Sequence, residues 1–451
     1  MELPNKESSM LDKIFSWSKK KPEEEHEPDP DIIFGRYSDN NKSVAKVEKW
    51  TIADTLFKEK KYHDSISAFF EYLSDDEAQN VVHKRDGQKG EFYFYQGSKI
   101  VRGKYDDDLL EAEALLASMP APSVPVMRRL LEMNFTLYYS RYAINGDKIY
   151  MLFESDIITA NPSKLYYGLK ELATKTDKQD DLLVQDFTSL QPLDTDHVVA
   201  IPDEEKEIKF RYFKKWIQET LDLINSIDQD KYSGGIAYLL LALAYRIDYL
   251  ILPEGKLLLS LEKIVEIYFR KDDRQVTEKN QEMMECFSKL LEKKKEDFFP
   301  YLFRSKFSFS IVTPQNFKTI ADAIYNANQN INWYRENKLY DVAAQISEYG
   351  ISYCQYSYSL PKPVTELFQL FMRINYGDYF TDLGFRESFY NRETKEYNKE
   401  AIYQKIEDIE RRWKDKYPEF KFKTDKLRFE SAYSFNQSYT AEIESLNLET
   451  R

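Results

Sequence analysis

Glycine is scarce in this chain, 13 residues in 451, against a usual share of about 7%. Loops that cradle phosphate through bare backbone therefore have little material. The one stretch of that kind, Gly97 to Lys104, fails as a nucleotide loop on three counts. Its glycines stand one residue too far apart, Tyr105 replaces the Ser or Thr that would hold Mg²⁺, and strand patterns surround it where a helix should begin. Cysteine is scarcer still. Cys286 and Cys354 lie far apart in helical patterns with no secretory leader pattern upstream, which points to free thiols in a reducing cytoplasm. The four histidines, His26, His63, His83 and His197, fall in different elements, so neither zinc nor any other metal or cofactor is expected. His83 with Asp86 reads as a surface histidine beside a turn aspartate rather than as a base. Asp106 to Asp108 lacks the spaced ligands of a calcium loop. Ser260 and Lys263 fit a Ser-x-x-Lys pattern inside a helix, without its partner motifs.

Long apolar runs are also missing. The longest, Ile236 to Leu252, is broken by Arg246 and Asp248 and falls short of the ~20 residues a membrane helix needs. It reads as a core helix, and no transmembrane segment is expected. Positive charge is in deficit, 64 Lys and Arg against 77 Asp and Glu for a net −13. A general nucleic-acid binder is excluded on that ground, because phosphate affinity rests on clustered cations.

What the chain has in abundance is aromatic surface, with 29 Phe, 34 Tyr and 5 Trp. Residues 1–44 read as a flexible tail holding the short amphipathic Met10–Trp17 segment and an acidic linker. From Val47 a helical hairpin follows, with Ala53, Leu56 and Phe57 on one helix and Tyr62, Ile66, Phe69 and Tyr72 on the next. The order Ala53, Tyr62, Ser65, Phe69 is similar to one tetratricopeptide unit, echoed at Tyr334, Tyr340, Ala343 and Ile346, and two matches make no array. Between residues 76 and 118 the period becomes two. Phe92 and Phe94 alternate with Tyr93 and Tyr95, Gly97-Ser98 turns the chain, and Leu110, Ala112, Ala114 and Leu116 share a face. A second hairpin is expected with Phe135, Leu137 and Tyr139 on one strand, a type I′ turn at Asn145-Gly146, and Ile149, Met151 and Phe153 on the return. A helix from Pro162 carries Leu165, Leu169 and Leu172 inward.

The stretch from Leu109 through Ile157, with Leu130-Leu-Glu-Met-Asn-Phe135 and Ala143 to Ile149 as its most diagnostic pieces, followed by Leu165 to Leu183, resembles the bacterial YbjN family. That family has the fold of type III secretion chaperones. The resemblance covers roughly Glu91 to Phe187, about a fifth of the chain. It implies a curved antiparallel sheet with flanking helices, often paired into homodimers, that binds proteins and is not an enzyme. It supplies no catalytic residues.

The expected fold is thus α+β, with a YbjN-like domain at 45–190, an all-α bundle or short solenoid at 204–418, and a mobile tail at 419–451. Thr313-Pro314 is expected to open one helix of the bundle. The function expected is a chaperone- or adaptor-like binder of protein partners, the net charge favouring basic ones. Two aromatic surfaces are candidates: a sheet face carrying Tyr93, Tyr95, Tyr138 and Tyr150, and a helical groove lined by Trp333, Tyr334, Tyr349, Tyr353 and Tyr356. The alternative is an enzyme or small-molecule-binding protein with a polar site between the two domains.

Overall fold

A computed structural model describes residues 29–449 apart from 39–41, 77, 194–196, 313, 330 and 392. The Met10–Trp17 segment, His26 and Thr313 lie outside these. The chain is α+β. Helices α1 (Val44–Lys58) and α2 (Tyr62–Leu73) form the expected hairpin, closed where the Ser65 hydroxyl donates to the Ala53 carbonyl at 2.7 Å. Strands β1 (Val81–Asp86), β2 (Lys89–Gln96), β3 (Lys99–Tyr105) and β4 (Leu109–Ser118) then run as an antiparallel meander. After α3 (Val124–Asn134), strands β5 (Ser140–Asn145) and β6 (Lys148–Asp156) complete the order β1-β2-β3-β4-β6-β5. Three hairpin loops start with a glycine in the left-handed region, Gly87, Gly97 and Gly146, at φ of 60°, 56° and 62°. At Asn145-Gly146 this corrects the expected turn. Asn145 still pairs with Lys148, so Gly146 and Asp147 are the central residues and only the first has positive φ, as in a II′ turn.

One sheet face is apolar. Phe92 and Phe94, Val101, Ala112 and Ala114, and Met151 and Phe153 are all buried, and they align across the register. Helix α4 (Pro162–Asp186) covers this face with Leu165, Leu169 and Leu172, and starts where Asn161 caps it by accepting from the Lys164 N–H at 2.9 Å.

Two short strands, β7 (Gln191–Pro192) and β8 (Val199–Ala200), lead to the helical half. It comprises α5 (Asp203–Asn225), α6 (Ser233–Leu250), α7 (Gly255–Phe269), α8 (Val276–Leu291), strand β9 (Phe303–Arg304), α9 (Phe317–Asn328), α10 (Ile331–Glu336), α11 (Tyr340–Ser357), α12 (Lys362–Asn375), α13 (Gly377–Asp382), the β10–β11 ribbon (Tyr390–Asn391, Glu396–Tyr397), α14 (Lys399–Trp413) and α15 (Ala432–Glu444). Helix α6 is buried on nearly every side, as its continuous apolar run requires. Helix α9 opens at Asn316, whose side chain accepts from the Thr319 N–H at 2.9 Å, three residues beyond the expected cap. Among the described residues no helix is long and apolar enough to cross a membrane.

The two tetratricopeptide-like echoes share one turn. Lys60 and Lys338 both sit in the left-handed region, at φ 63° and 61°. Around the first, N–H groups of Lys60 and Lys61 donate to Phe57 and Leu56, and around the second those of Lys338 and Leu339 donate to Arg335 and Tyr334, all at 2.9 Å. This is the helix-ending pattern that glycine ordinarily fills. Left-handed backbone strains an L side chain by about 1–2 kcal/mol, partly offset by glycine's greater freedom when unfolded. Lys60→Gly or Lys338→Gly should therefore raise stability by about 0.5–1 kcal/mol, read as a higher urea midpoint with an unchanged slope.

Three expected boundaries are corrected. Of the expected tail at 419–451, the described residues 419–449 are not a tail. Phe422, Phe435 and Tyr439 are buried, and the Tyr439 hydroxyl donates to the Leu367 carbonyl at 2.8 Å. The Phe435, Tyr439, Ile443 spacing of four gives α15 an inward stripe hidden among Ser, Asn, Gln and Thr. Residues 29–38 are not a free tail either. They form a strap on the helical half, with Phe34 packed 5.0 Å from Phe380 and Arg36 held by Asp248 and Glu254. In return, residues 306–310 leave the helical half and enter the sheet domain. Phe309 is wholly buried in the sheet domain's core, 5.6 Å from Phe94 and 5.4 Å from Tyr166. The Gln96 side chain grips its backbone, accepting from the Phe309 N–H at 3.0 Å and donating to the Phe309 carbonyl at 3.1 Å. The two exchanged segments meet where Ser38 and Ser310 both bond the Ser359 hydroxyl, at 2.8 and 3.1 Å.

Candidate partner-binding surface

Three of the four expected sheet tyrosines share the outer face. Tyr93 pairs across the ladder with Arg102, Arg102 with Glu113, Glu113 with Leu152 and Leu152 with Arg141, while Tyr150 lies between Leu115 and Ala143. Among the described elements no helix covers this row. Tyr93, Arg102, Glu113 and Arg141 are exposed and Leu152 half-buried. Tyr95 is already occupied within the chain, its ring 5.4 Å from His197 and under the Lys306 ammonium at 5.5 Å. Burial and its hydrogen bond with Tyr93 hold the Tyr95 phenol above its ordinary range.

Tyr138 is the exception. The strand expected from Phe135 to Tyr139 does not form, because α3 runs on to Asn134 and the following residues make a loop. Glu171 on α4 sets that loop. Its carboxylate accepts the N–H groups of Tyr138, Tyr139 and Ser140 at 2.8, 2.7 and 2.9 Å, and the Ser140 hydroxyl at 2.9 Å. Asn134 completes the clamp by pairing its amide with both the N–H (2.7 Å) and the carbonyl (3.3 Å) of Tyr142. The edge of β5 is thereby blunted, as sheet edges usually are. Fixing the backbone this way turns two rings into solvent: Phe135 is 92% exposed and Tyr138 91%. Leu131, one turn back on α3, and Tyr167, one turn before Glu171 on α4, are also exposed. Large aromatics this bare are uncommon on a surface with no partner.

Burial pushes the Glu171 carboxyl upward, but its four hydrogen bonds outweigh this and hold it below the usual carboxylate range. A lowered folded-state pKa contributes stability that is complete above the unfolded value of about 4.3 and lost as pH falls through the folded value. Glu171→Gln should cost about 1–2 kcal/mol near neutrality. The gap between the two urea midpoints should close as pH drops from about 5 to 3.

The helical aromatic cluster packs onto the core rather than standing open as a groove, with Tyr349, Tyr353 and Tyr356 half-buried. Tyr334 is buried, and Tyr349, Tyr353 and Tyr356 pack among themselves and against α6, with Tyr238–Tyr349 rings 4.6 Å apart and Tyr245–Tyr356 rings 4.7 Å apart. Burial pushes the Tyr334 phenol up to about 12 and raises those of Tyr349 and Tyr356 further. Only Trp333 stays open, resting on Tyr232 at 5.8 Å. The reason is the near-complete burial of α6, which draws the facing tyrosines of α11 inward.

His83 does not meet Asp86. Three apart on a strand, they project to opposite faces, and His83 instead bonds the Tyr105 hydroxyl at 2.8 Å and stacks on Phe70 at 4.8 Å. Burial and nearby Arg85 push its pKa down to about 4. At the sheet's end a cleft of about 450 Å³ is lined by Lys84, Asp86, Glu91, Lys104 and Glu111 among others. Its charges balance, and Lys104 already pairs with Glu111 at 3.5 Å. Cys354 is buried and Cys286 half-buried, both free thiols with raised pKa. Sequence reasoning missed Glu171 and the exposure of Phe135, and no local pattern marks a carboxylate that acts across more than thirty residues.

Comparison with known family models and with curated proteins finds no match to this chain.

Proposed function

We propose that the chain is a non-catalytic protein-binding module of chaperone or adaptor type, as the YbjN resemblance implies. It takes a partner's apolar segment on the loop between α3 and β5. The observation that carries this reading is the exposure of Phe135 and Tyr138 on a backbone that Glu171 and Asn134 hold rigid. Aromatic anchors with few rotamers, displayed on a fixed loop, lose little entropy on binding. Leu131 and Tyr167 extend the apolar contact, and the net charge of −13 steers basic partners toward it. The outer sheet face with Tyr93 and Tyr150 is the lesser surface, because its exposed neighbours are charged and Tyr95 is engaged within the chain.

The test is affinity capture with the full chain, comparing wild type with Phe135→Ala/Tyr138→Ala and with Tyr93→Ala, each first shown to melt as wild type does. A reproducible partner set lost from the double variant and kept by Tyr93→Ala supports the loop. An identical set from all three proteins removes it. Sedimentation of the double variant separates the remaining case, in which the partner is a second copy of the chain.

A further inference from the structure

Three arginines lie inside the helical half, and two have a carboxylate on the fork formed by Nε and Nη2. Arg36 sends that fork to Asp248 at 3.0 and 2.7 Å, and Arg246 sends it to Glu348 at 2.6 and 3.0 Å. This planar edge matches the oxygens of a carboxylate. Arg373, on α12, is as enclosed as Arg246, at 6% exposure, yet its Nε and Nη2 have no hydrogen-bond partner. Its acidic neighbours stand off, Asp29 at 3.5 Å and Glu387 at 3.9 Å. The faces of Phe385 and Phe389 lie 5.0 and 5.1 Å from the guanidinium carbon. Rings favour a cation, but they do not accept from a fork in the guanidinium plane. Burial accordingly lowers the Arg373 pKa, with Asp29 and Glu387 opposing only in part.

Arg373 lines a cleft of about 330 Å³ between the start of the strap, α12 and α14. Its guanidinium faces that way, since Asp29 and Phe385 beside it line the same cleft. Lys362 and Lys405 stand in the wall, and neither has an ion-pair partner among the described residues. Arg412, by contrast, is taken by Glu366. The rest of the wall is Gln369 and an apolar surface that includes Leu370, Phe385 and Ile409. A local surplus of cations beside apolar surface, in a chain of net −13, selects for an anion with an apolar body.

We propose that this cleft binds a small organic carboxylate, its head on the Arg373 fork between Lys362 and Lys405 and its body against Leu370, Phe385 and Ile409. The fork is closed to solvent, so the ligand enters as the Asp29 carboxylate, which sits beside the third nitrogen Nη1 at 3.5 Å, moves aside. Inorganic phosphate would meet the cations but leave the apolar wall unused.

The experiment titrates hexanoate into the full chain by calorimetry and thermal shift, with inorganic phosphate in parallel. Saturable hexanoate binding with a raised melting temperature is expected, and none for phosphate over the same range. Asp29→Asn, which removes the competing carboxylate, should tighten hexanoate several-fold. Lys362→Glu/Lys405→Glu, at two half-buried positions and first shown to melt as wild type does, should weaken it about tenfold or more. No saturation by about 10 mM, affinity indifferent to the two lysines, or phosphate binding in place of hexanoate would each overturn the proposal. Arg373→Gln should abolish binding, and if it unfolds, the lysine and Asp29 variants still decide.

Discussion

Phe309→Ala should destabilise the protein by about 3–5 kcal/mol, the range for emptying a fully enclosed aromatic site. The ring is wholly buried against Phe94 and Tyr166. Those neighbours cannot collapse into the void, because Gln96 and Asn80 pin the segment's backbone on both sides, Asn80 donating to the Phe307 carbonyl at 3.1 Å. The distinctive feature of the expected result is its location. Phe309 follows the helical half in sequence, but its loss should raise amide exchange in β2 and α4 before it does so in α6 or α11. Exchange that rises first in the helices would refute its assignment to the sheet domain's core.

Glu348→Ala should cost a similar amount, about 3–5 kcal/mol, by leaving a charge buried without its partner. Both carboxylate oxygens accept from Arg246, and the Tyr376 hydroxyl donates to one of them. The guanidinium carbon also lies 4.6 Å from the Tyr376 ring and 5.7 Å from that of Trp216. An unpaired Arg246, only 4% exposed, would keep little contact with water. Replacing both partners by methionine should cost far less than either single change, because no orphaned charge remains. Urea unfolding of the two single variants and the double one checks this, and additive losses would show that the pair is not coupled.

The elements legible in the sequence are those whose information is local. Alternation from Phe92 to Phe94 and from Leu110 to Leu116 gives the right inward faces, and Gly97 and Gly146 mark real turns. Leu165, Leu169 and Leu172 mark the buried stripe of α4. What escapes is set by distant partners. Strand β1 reads poorly because half of it, Lys84 to Asp86, is charged, although Asp86-Gly87 is an ordinary hairpin signal. The Phe135–Tyr139 alternation is a genuine strand pattern, overridden by a glutamate on another element. The crowded tyrosines of α11 look like a binding surface until α6 is laid against them. Of the candidate residues, Tyr93 and Tyr150 lie where alternation puts them, whereas the rim at Phe135 and Tyr138 is visible only once the loop is built.

The exchange of segments between the two halves also fixes an order of events during synthesis. The last helix covering the sheet is made by Asp186, but Phe309 and the carbonyls that satisfy Gln96 and Asn80 are more than a hundred residues further on. At ribosomal rates that interval is on the order of ten seconds. Throughout it the nascent sheet domain lacks part of its own core, and the strap that precedes it lacks the α6 acid that receives Arg36. The sheet domain therefore cannot complete its core until Ser310 has been made, when α5 to α8 of the helical half already exist and α9 to α15 do not.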